Sequence, residues 1–192
     1  MLSRVGSFDP YPYRKESTRE LRRYVVESGS LLTPVGPSPY TIVRMKPFAC
    51  VLPVIDAGTS HARVVLVRQY RYAVDDWQLE APAGGIEKGE PPRDAALREL
   101  REESGLLVDE LVDLGWTYPS GGSTSEKAYL FAARCSGVRV GTQLDVGEQI
   151  ETVYASRAQM EKLLQSDDFG HAVTYAAWFR FAARGLLDAW MP

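Results

Sequence analysis

Cysteine is nearly missing from this chain: Cys50 and Cys135 are the only two in 192 residues, far apart and each inside or beside an apolar run. They are too few for a disulfide scaffold, and the expectation is two reduced core residues in a cytoplasmic protein. Basic runs of five or more are absent, and 22 Lys+Arg against 25 Asp+Glu leave a net charge of −3. That balance argues against nucleic acid as the main partner, so an anionic substrate has to be met by local charge and metal. No stretch approaches the roughly 18 apolar residues of a membrane span, and the opening MLSRVGSFDPYPYRK has no apolar core of a secretory leader, so no membrane association is expected. Internal repeats and low-complexity segments are lacking too. What is present is ordinary for a globular protein: 45% hydrophobic and 24% charged residues, enough for one domain with a sizeable core or one domain with a small appendage.

The richest stretch is Gly84 to Leu106, GGIEKGEPPRDAALRELREESGL, which sets six carboxylates and three arginines beside a thin apolar stripe. Pro91 and Pro92 suit a first helical turn, where a missing N–H costs nothing, and Gly105 suits the left-handed residue after the last turn. Steps of about 100° per residue put Ala96, Leu97 and Leu100 on one face. Glu99 and Glu103 fall together at the edge of that face, with Asp94 and Arg101 pointing away. A charged helix is ordinarily a solvated surface. Here, however, two like charges four residues apart flank the buried stripe, and they repel by about 0.2–0.5 kcal/mol unless a cation lies between them. Carboxylates are hard ligands suited to Mg²⁺, which keeps several waters and is commonly shared with substrate phosphates. Arg98, one turn before Glu102, has the planar fork to hold a neighbouring carboxylate.

Gly84, five residues, Glu90, seven residues, then Arg98-Glu99-Leu100-Arg101-Glu102-Glu103-Ser104-Gly105-Leu106 resembles a complete Nudix box, with nine specified positions at the required spacing. The resemblance implies an α/β Nudix fold, a mixed β-sheet between helices, and hydrolysis of a phosphoanhydride in a nucleoside diphosphate linked to another moiety. It also implies that Glu99, Glu103 and the carbonyl of Ala83 bind Mg²⁺, with Mn²⁺ as a substitute, that Glu102 lies nearby, and that Glu90 pairs with Arg98.

Around the box, VRQYRYAVDDWQLEAPAGG places Arg68, Arg71, Tyr70, Tyr72, Trp77 and Glu80 just before the helix. A guanidinium there is within reach of phosphate or ribose, although the same residues also suit a strand end with surface arginines. Gly84-Gly85 lacks the Lys-Ser/Thr of a Walker loop, which removes that reading. The loop PSGGSTSEK, with RQYR and LEAPAG, is similar to ADP-ribose pyrophosphatases over roughly residues 64 to 152, one inserted serine apart. By that likeness Arg71, Trp77, Glu80 and Glu126 bind substrate, and ADP-ribose, cleaved to AMP and ribose 5-phosphate, is the first candidate. GDP-mannose, a dinucleotide, a biosynthetic sugar nucleotide, or a non-catalytic nucleotide sensor are the alternatives. A carboxylate engaged by metal is a poor base, so Glu148 and Glu151 of the acidic loop 141–151 are candidates for the proton acceptor, Glu148 also for a further metal ligand, with Glu102 and Arg98 as the helix's own catalytic groups.

The remaining chain reads as strands at Thr41–Arg44, Phe48–Ile55, Val64–Gln69, Leu111–Tyr118, Ala128–Ala133 and Thr152–Ala155. Ser156 is expected to cap a helix running to Leu164, and one helix is expected from about Ala172 to Trp190. His61 falls in an exposed turn. Residues 1–15 read as an irregular arm, and LLTPVGPSPY, with its prolines and glycine, as a turn or linker. The stretch between them admits two readings, a helix from Thr18 behind a Ser17/Glu20 capping box or a strand through RRYVVESG. Residues 1–45 are therefore expected to form an N-terminal extension to a domain of residues 46–192. The extension is expected to act as a dimerisation arm, its Tyr11, Tyr13, Tyr24 and Tyr40 serving the base in a homodimer.

Overall fold

The computed structural model describes residues 9–144, 149–167 and 169–192. The chain divides into two compact units, Met1–Lys46 with Ser120–Glu126, and Pro47–Pro119 with Lys127–Pro192.

In the first unit, β1 (Tyr13–Glu20), β2 (Tyr24–Thr33) and β3 (Gly36–Met45) form an antiparallel sheet in the order β1-β2-β3. The ambiguous segment is thus strand: Val25, Val26 and their neighbours pair on both sides, and β-branched residues fit a pleated ladder better than a first helical turn. Two expectations fail here. The arm becomes strand from Tyr13, and LLTPVGPSPY, expected as a linker, is a hairpin whose only unpaired residues are Pro34 and Val35, with Leu32 opposite Pro37 and Ser30 opposite Pro39. Proline cannot donate to a ladder, yet β3 is an edge strand of this sheet, where the missing N–H has no partner to lose. Gly29 is required in β2 because a Cβ there would lie 2.3 Å from the Arg14 carbonyl and 2.9 Å from the Tyr13 ring. The loop after Pro119 docks on β3 through Val43 N–H to Ser123 O at 2.9 Å, Ser125 N–H to Val43 O at 2.9 Å, and the Tyr40 hydroxyl to Gly122 O at 2.7 Å.

The second unit holds a mixed sheet ordered β10-β5-β4-β9-β8, with β6 added to β5 and β7 to β4. Its strands are β4 (Phe48–Ile55), β5 (Arg63–Arg71), β6 (Asp76–Glu80), β7 (Ala83–Gly85), β8 (Leu106–Thr117), β9 (Ala128–Arg139) and β10 (Ile150–Ala155). The β4–β9 pair is parallel and the other pairings are antiparallel. Alternation along the central strands makes two cores. Cys50, Leu52, Val54, Leu66 and Leu130 face Met160 of α2 (Arg157–Leu164), Val173, Ala177 and Phe181 of α3 (Ala172–Ala183), and Trp190 of α4 (Leu186–Trp190). Ala49, Val51, Val65, Phe131 and Ala133 face Ala95, Ala96 and Leu100 of α1 (Pro92–Ser104) on the opposite side. A sheet between helices, as the resemblance implied, follows from strands that are apolar on both faces.

The helix ends are set by capping chemistry. Ser156 and Gln159 form a reciprocal capping box at α2, and Gly105, at φ 70°, ends α1 with its N–H on the Arg101 carbonyl. The single last helix expected from Ala172 to Trp190 is two helices, because Gly185 takes φ 73° and breaks the run. Both cysteines are buried thiols, and burial pushes Cys135 up to about 12. His61 is exposed. Among the described residues no helix is long and apolar enough to cross a membrane.

Candidate active site

The second unit gathers the expected helix carboxylates around β7. Three residues enter it from Glu80, and each backbone position on the way is pinned. The Ala81 N–H donates to Thr174 Oγ1 at 2.9 Å, the Pro82 carbonyl accepts from Val51 N–H at 2.9 Å, and the Ala83 N–H donates to Glu103 Oε2 at 3.1 Å. This short strap therefore runs between α3 on one side of the sheet and α1 on the other.

Glu99 reaches the next residue. Its carboxyl carbon lies 2.0 Å from where a Cβ on Gly84 would sit, so a glycine is needed there for the side chain to occupy its place. Glu99 and Glu103, four apart on α1, thus deliver their carboxylates to adjacent residues of β7. Glu103 is only 5% exposed, a depth at which a carboxylate needs compensation.

Arg98 organises the rest. Its guanidinium donates to Glu90 Oε1 at 2.9 Å and Oε2 at 3.0 Å, to Glu99 Oε1 at 2.7 Å, to Glu102 Oε2 at 3.0 Å and to the Gly85 carbonyl at 2.9 Å. The paired guanidinium, with a backbone N–H from Glu87, holds the Glu90 carboxyl below the usual range, and Glu90 in turn drives the Arg98 pKa upward. One arginine serves Glu90, Glu99 and Glu102, and Glu103 adds a further carboxylate beside them. Among the described residues the cluster therefore carries surplus negative charge presented on hard oxygens, which fits a divalent cation. Among the described residues, no three His, Cys, Asp or Glu groups form a ready-made cage.

Of the remaining expected residues, Arg71 and Glu80 meet one another. Arg71 Nε and Nη2 donate to the two Glu80 oxygens at 2.7 and 2.6 Å, and Glu80 is 2% exposed. Trp77 is partly exposed, edge-on to Tyr70, with the Arg68 guanidinium 4.6 Å from its ring centre. Glu151 lies on β10, well exposed and 3.5 Å from Arg68, so it stands across the β5–β10 ladder and not on α1. Glu148 lies outside the described residues. The loop carrying it leaves β9 tied to the end of α1, with the Val140 N–H on Gly105 O at 2.8 Å and the Gln143 N–H on Glu102 O at 2.9 Å. Glu126 belongs to the first unit, and burial pushes its carboxyl above the usual range.

Two residues of this neighbourhood were not legible as site residues. Cys50, opposite Ala83 in the β4–β7 ladder, has its thiol pushed up by burial and by the fields of Glu103 and Glu80, so it stays protonated. His171 Nε2 lies 3.5 Å from Glu80 Oε2. Only its place before a helix marks it in the sequence, and nothing there ties it to Glu80.

Comparison with known proteins identifies the family. The NUDIX domain model matches residues 45–182. The chain belongs to the Nudix hydrolase family. It is 33% identical over 134 residues to an ADP-ribose pyrophosphatase of Bacillus subtilis, spanning 69% of this chain and 70% of that one. To an ADP-ribose pyrophosphatase of Haemophilus influenzae it is 30% identical over 140 residues, spanning 66% and 64% of the two chains. The chain spans about two thirds of the length of these relatives. The fold superposes on the crystal structure of an ADP compounds hydrolase with a TM-score of 0.77 and 25% identity, over 96% of this chain and 97% of that one.

Proposed function

We propose that this Nudix hydrolase cleaves the pyrophosphate of a nucleoside diphosphate sugar with Mg²⁺ as its metal, and that ADP-ribose, yielding AMP and ribose 5-phosphate, is its first substrate. The observation that carries the reading is the convergence of Glu99 and Glu103 on Ala83 and Gly84 beside the three-way Arg98 cluster. Support for the substrate comes from the ADP-ribose pyrophosphatases among its relatives.

Glu99, Glu103 and the Ala83 carbonyl would hold the metal, which supplies charge neutralisation at the diphosphate and a more acidic water. Arg98 keeps the Glu90, Glu99 and Glu102 side chains in fixed positions, so little reorganisation is needed when substrate arrives. Glu102, the most exposed of the Arg98-bound carboxylates, can accept a proton from the attacking water, as can Glu148 from the acidic loop or Glu151 from the start of β10. Arg71, fixed by Glu80, is the cation for a phosphate or ribose oxygen, and Trp77 is a further substrate contact; Glu126, in the first unit, is a substrate-binding candidate by the likeness to ADP-ribose pyrophosphatases.

A homodimer is part of the same proposal, with residues 1–45 as its arm. Among the described residues of that stretch no apolar side chain is fully buried, and Tyr11 and Tyr24 are 53% and 40% exposed. A three-stranded sheet without its own core needs a covering surface. The buried free thiols suit the reducing cytoplasm.

The test is a panel of nucleoside diphosphate sugars and dinucleotides incubated with Mg²⁺, products separated by chromatography, and light scattering for the mass. ADP-ribose turned over faster than GDP-mannose and NADH supports the reading. Binding of the panel without cleavage would leave a sensor instead, and a monomer mass at micromolar protein would refute the dimer.

A further inference from the structure

Glu80 and Arg71 are held from behind by α3. Thr174, fully buried in its first turn, accepts the Ala81 N–H at 2.9 Å, and its hydroxyl lies 2.7 Å from His171 Nδ1. A threonine hydroxyl has one hydrogen. With the backbone N–H on one lone pair of the oxygen, that hydrogen is free to go to His171 Nδ1, which is then the unprotonated ring nitrogen. The ring proton is left on Nε2, facing Glu80 Oε2 at 3.5 Å, the oxygen that also accepts from Arg71 Nη2 at 2.6 Å. Among the described residues, the charged groups facing the imidazole are Glu80 from β6 and Arg71 from β5.

We infer that His171, oriented by Thr174, is a positioning residue for Arg71: it fixes the Glu80 carboxylate in the plane that presents the guanidinium to substrate. This rests on the reading of Arg71 as a substrate-binding group. A ring N–H facing a buried carboxylate restrains its rotation, and a bidentate arginine follows the plane of its partner. Burial holds the imidazole below its ordinary proton affinity, so it is neutral at pH 7 and leaves the Glu80 charge to Arg71. Once protonated at lower pH, it competes with Arg71 for the same oxygen.

The experiment measures kcat and KM for ADP-ribose against pH in the wild type, His171→Ala, His171→Gln and Arg71→Ala, with the ring tautomer read by nitrogen-15 NMR on the unsubstituted enzyme. Expected are an Nε2–H tautomer at neutral pH, a KM raised about tenfold in His171→Ala with kcat within about twofold, and recovery in His171→Gln, whose amide restores a donor. The wild type should show KM rising on the acid side, and His171→Gln should not. An unchanged KM in Arg71→Ala overturns the substrate reading itself. A raised KM in Arg71→Ala with an unchanged KM and acid limb in His171→Ala overturns the positioning role alone. So does an Nδ1–H tautomer in the wild type, which stands even if His171→Ala does not fold.

Discussion

The two arginine clusters of the second unit use the same contacts toward opposite ends. Arg98 sits among Glu90, Glu99 and Glu102, partly exposed, with more negative charge than it can neutralise. Arg71 is gripped by Glu80, a buried carboxylate that accepts from it at both oxygens, with a neutral imidazole behind it. A surplus of hard oxygens is a demand for a cation, whereas a buried bidentate pair is a rigid mount. On the proposed function, the first is where chemistry happens and the second holds a substrate still.

Breaking the first cluster should cost the most. Glu103→Gln keeps a similar shape and removes the buried charge against Ala83 N–H. We expect kcat to drop by more than the about 10–100-fold typical of losing a supporting partner, with the fold intact by circular dichroism. Gly84→Ala comes next. Its new methyl meets the end of a flexible side chain, so Glu99 swings away at little expense, about 1 kcal/mol or less in a denaturant melt, while turnover falls at least about tenfold.

The second cluster should answer in KM. Arg71→Ala is expected to raise KM more than it lowers kcat in steady-state assays, because on the proposed function it removes uniform binding and leaves the carboxylate helix whole. The smallest effect is on stability. The folded His171 takes up its proton at lower pH than the ordinary 6.5, so between those values the unfolded chain binds more protons and stability declines as pH falls below about 6.5. His171→Gln should flatten that part of the melting curve measured against pH.

The first cluster was legible in the sequence and the second only in part, for a physical reason. Glu90, Arg98, Glu99, Glu102 and Glu103 belong to one helix and the turn before it, and helical spacing alone brings them together. Arg71 and Glu80 are joined by the β5–β6 ladder, which pairs Arg71 with Asp76 and Val67 with Glu80, so their union depends on side chains leaning along the strands. His171 arrives from a helix far along the chain, and no periodicity records that contact. The proline-bearing hairpin 31–40 was misread because proline marks a turn unless the strand is at an edge, and edges are fixed by tertiary structure. Gly185 was in plain view, but an apolar run on both sides of it masked the break.

The central claim is that the acidic surplus on α1 serves a divalent cation in pyrophosphate hydrolysis. The most direct measurement is ADP-ribose turnover as Mg²⁺ is titrated into metal-free enzyme, wild type beside Glu103→Gln. The account predicts no turnover in chelator, saturable activation of the wild type, and a variant that stays orders of magnitude slower at saturating Mg²⁺. Full turnover in chelator, or a variant that matches the wild type, would contradict it.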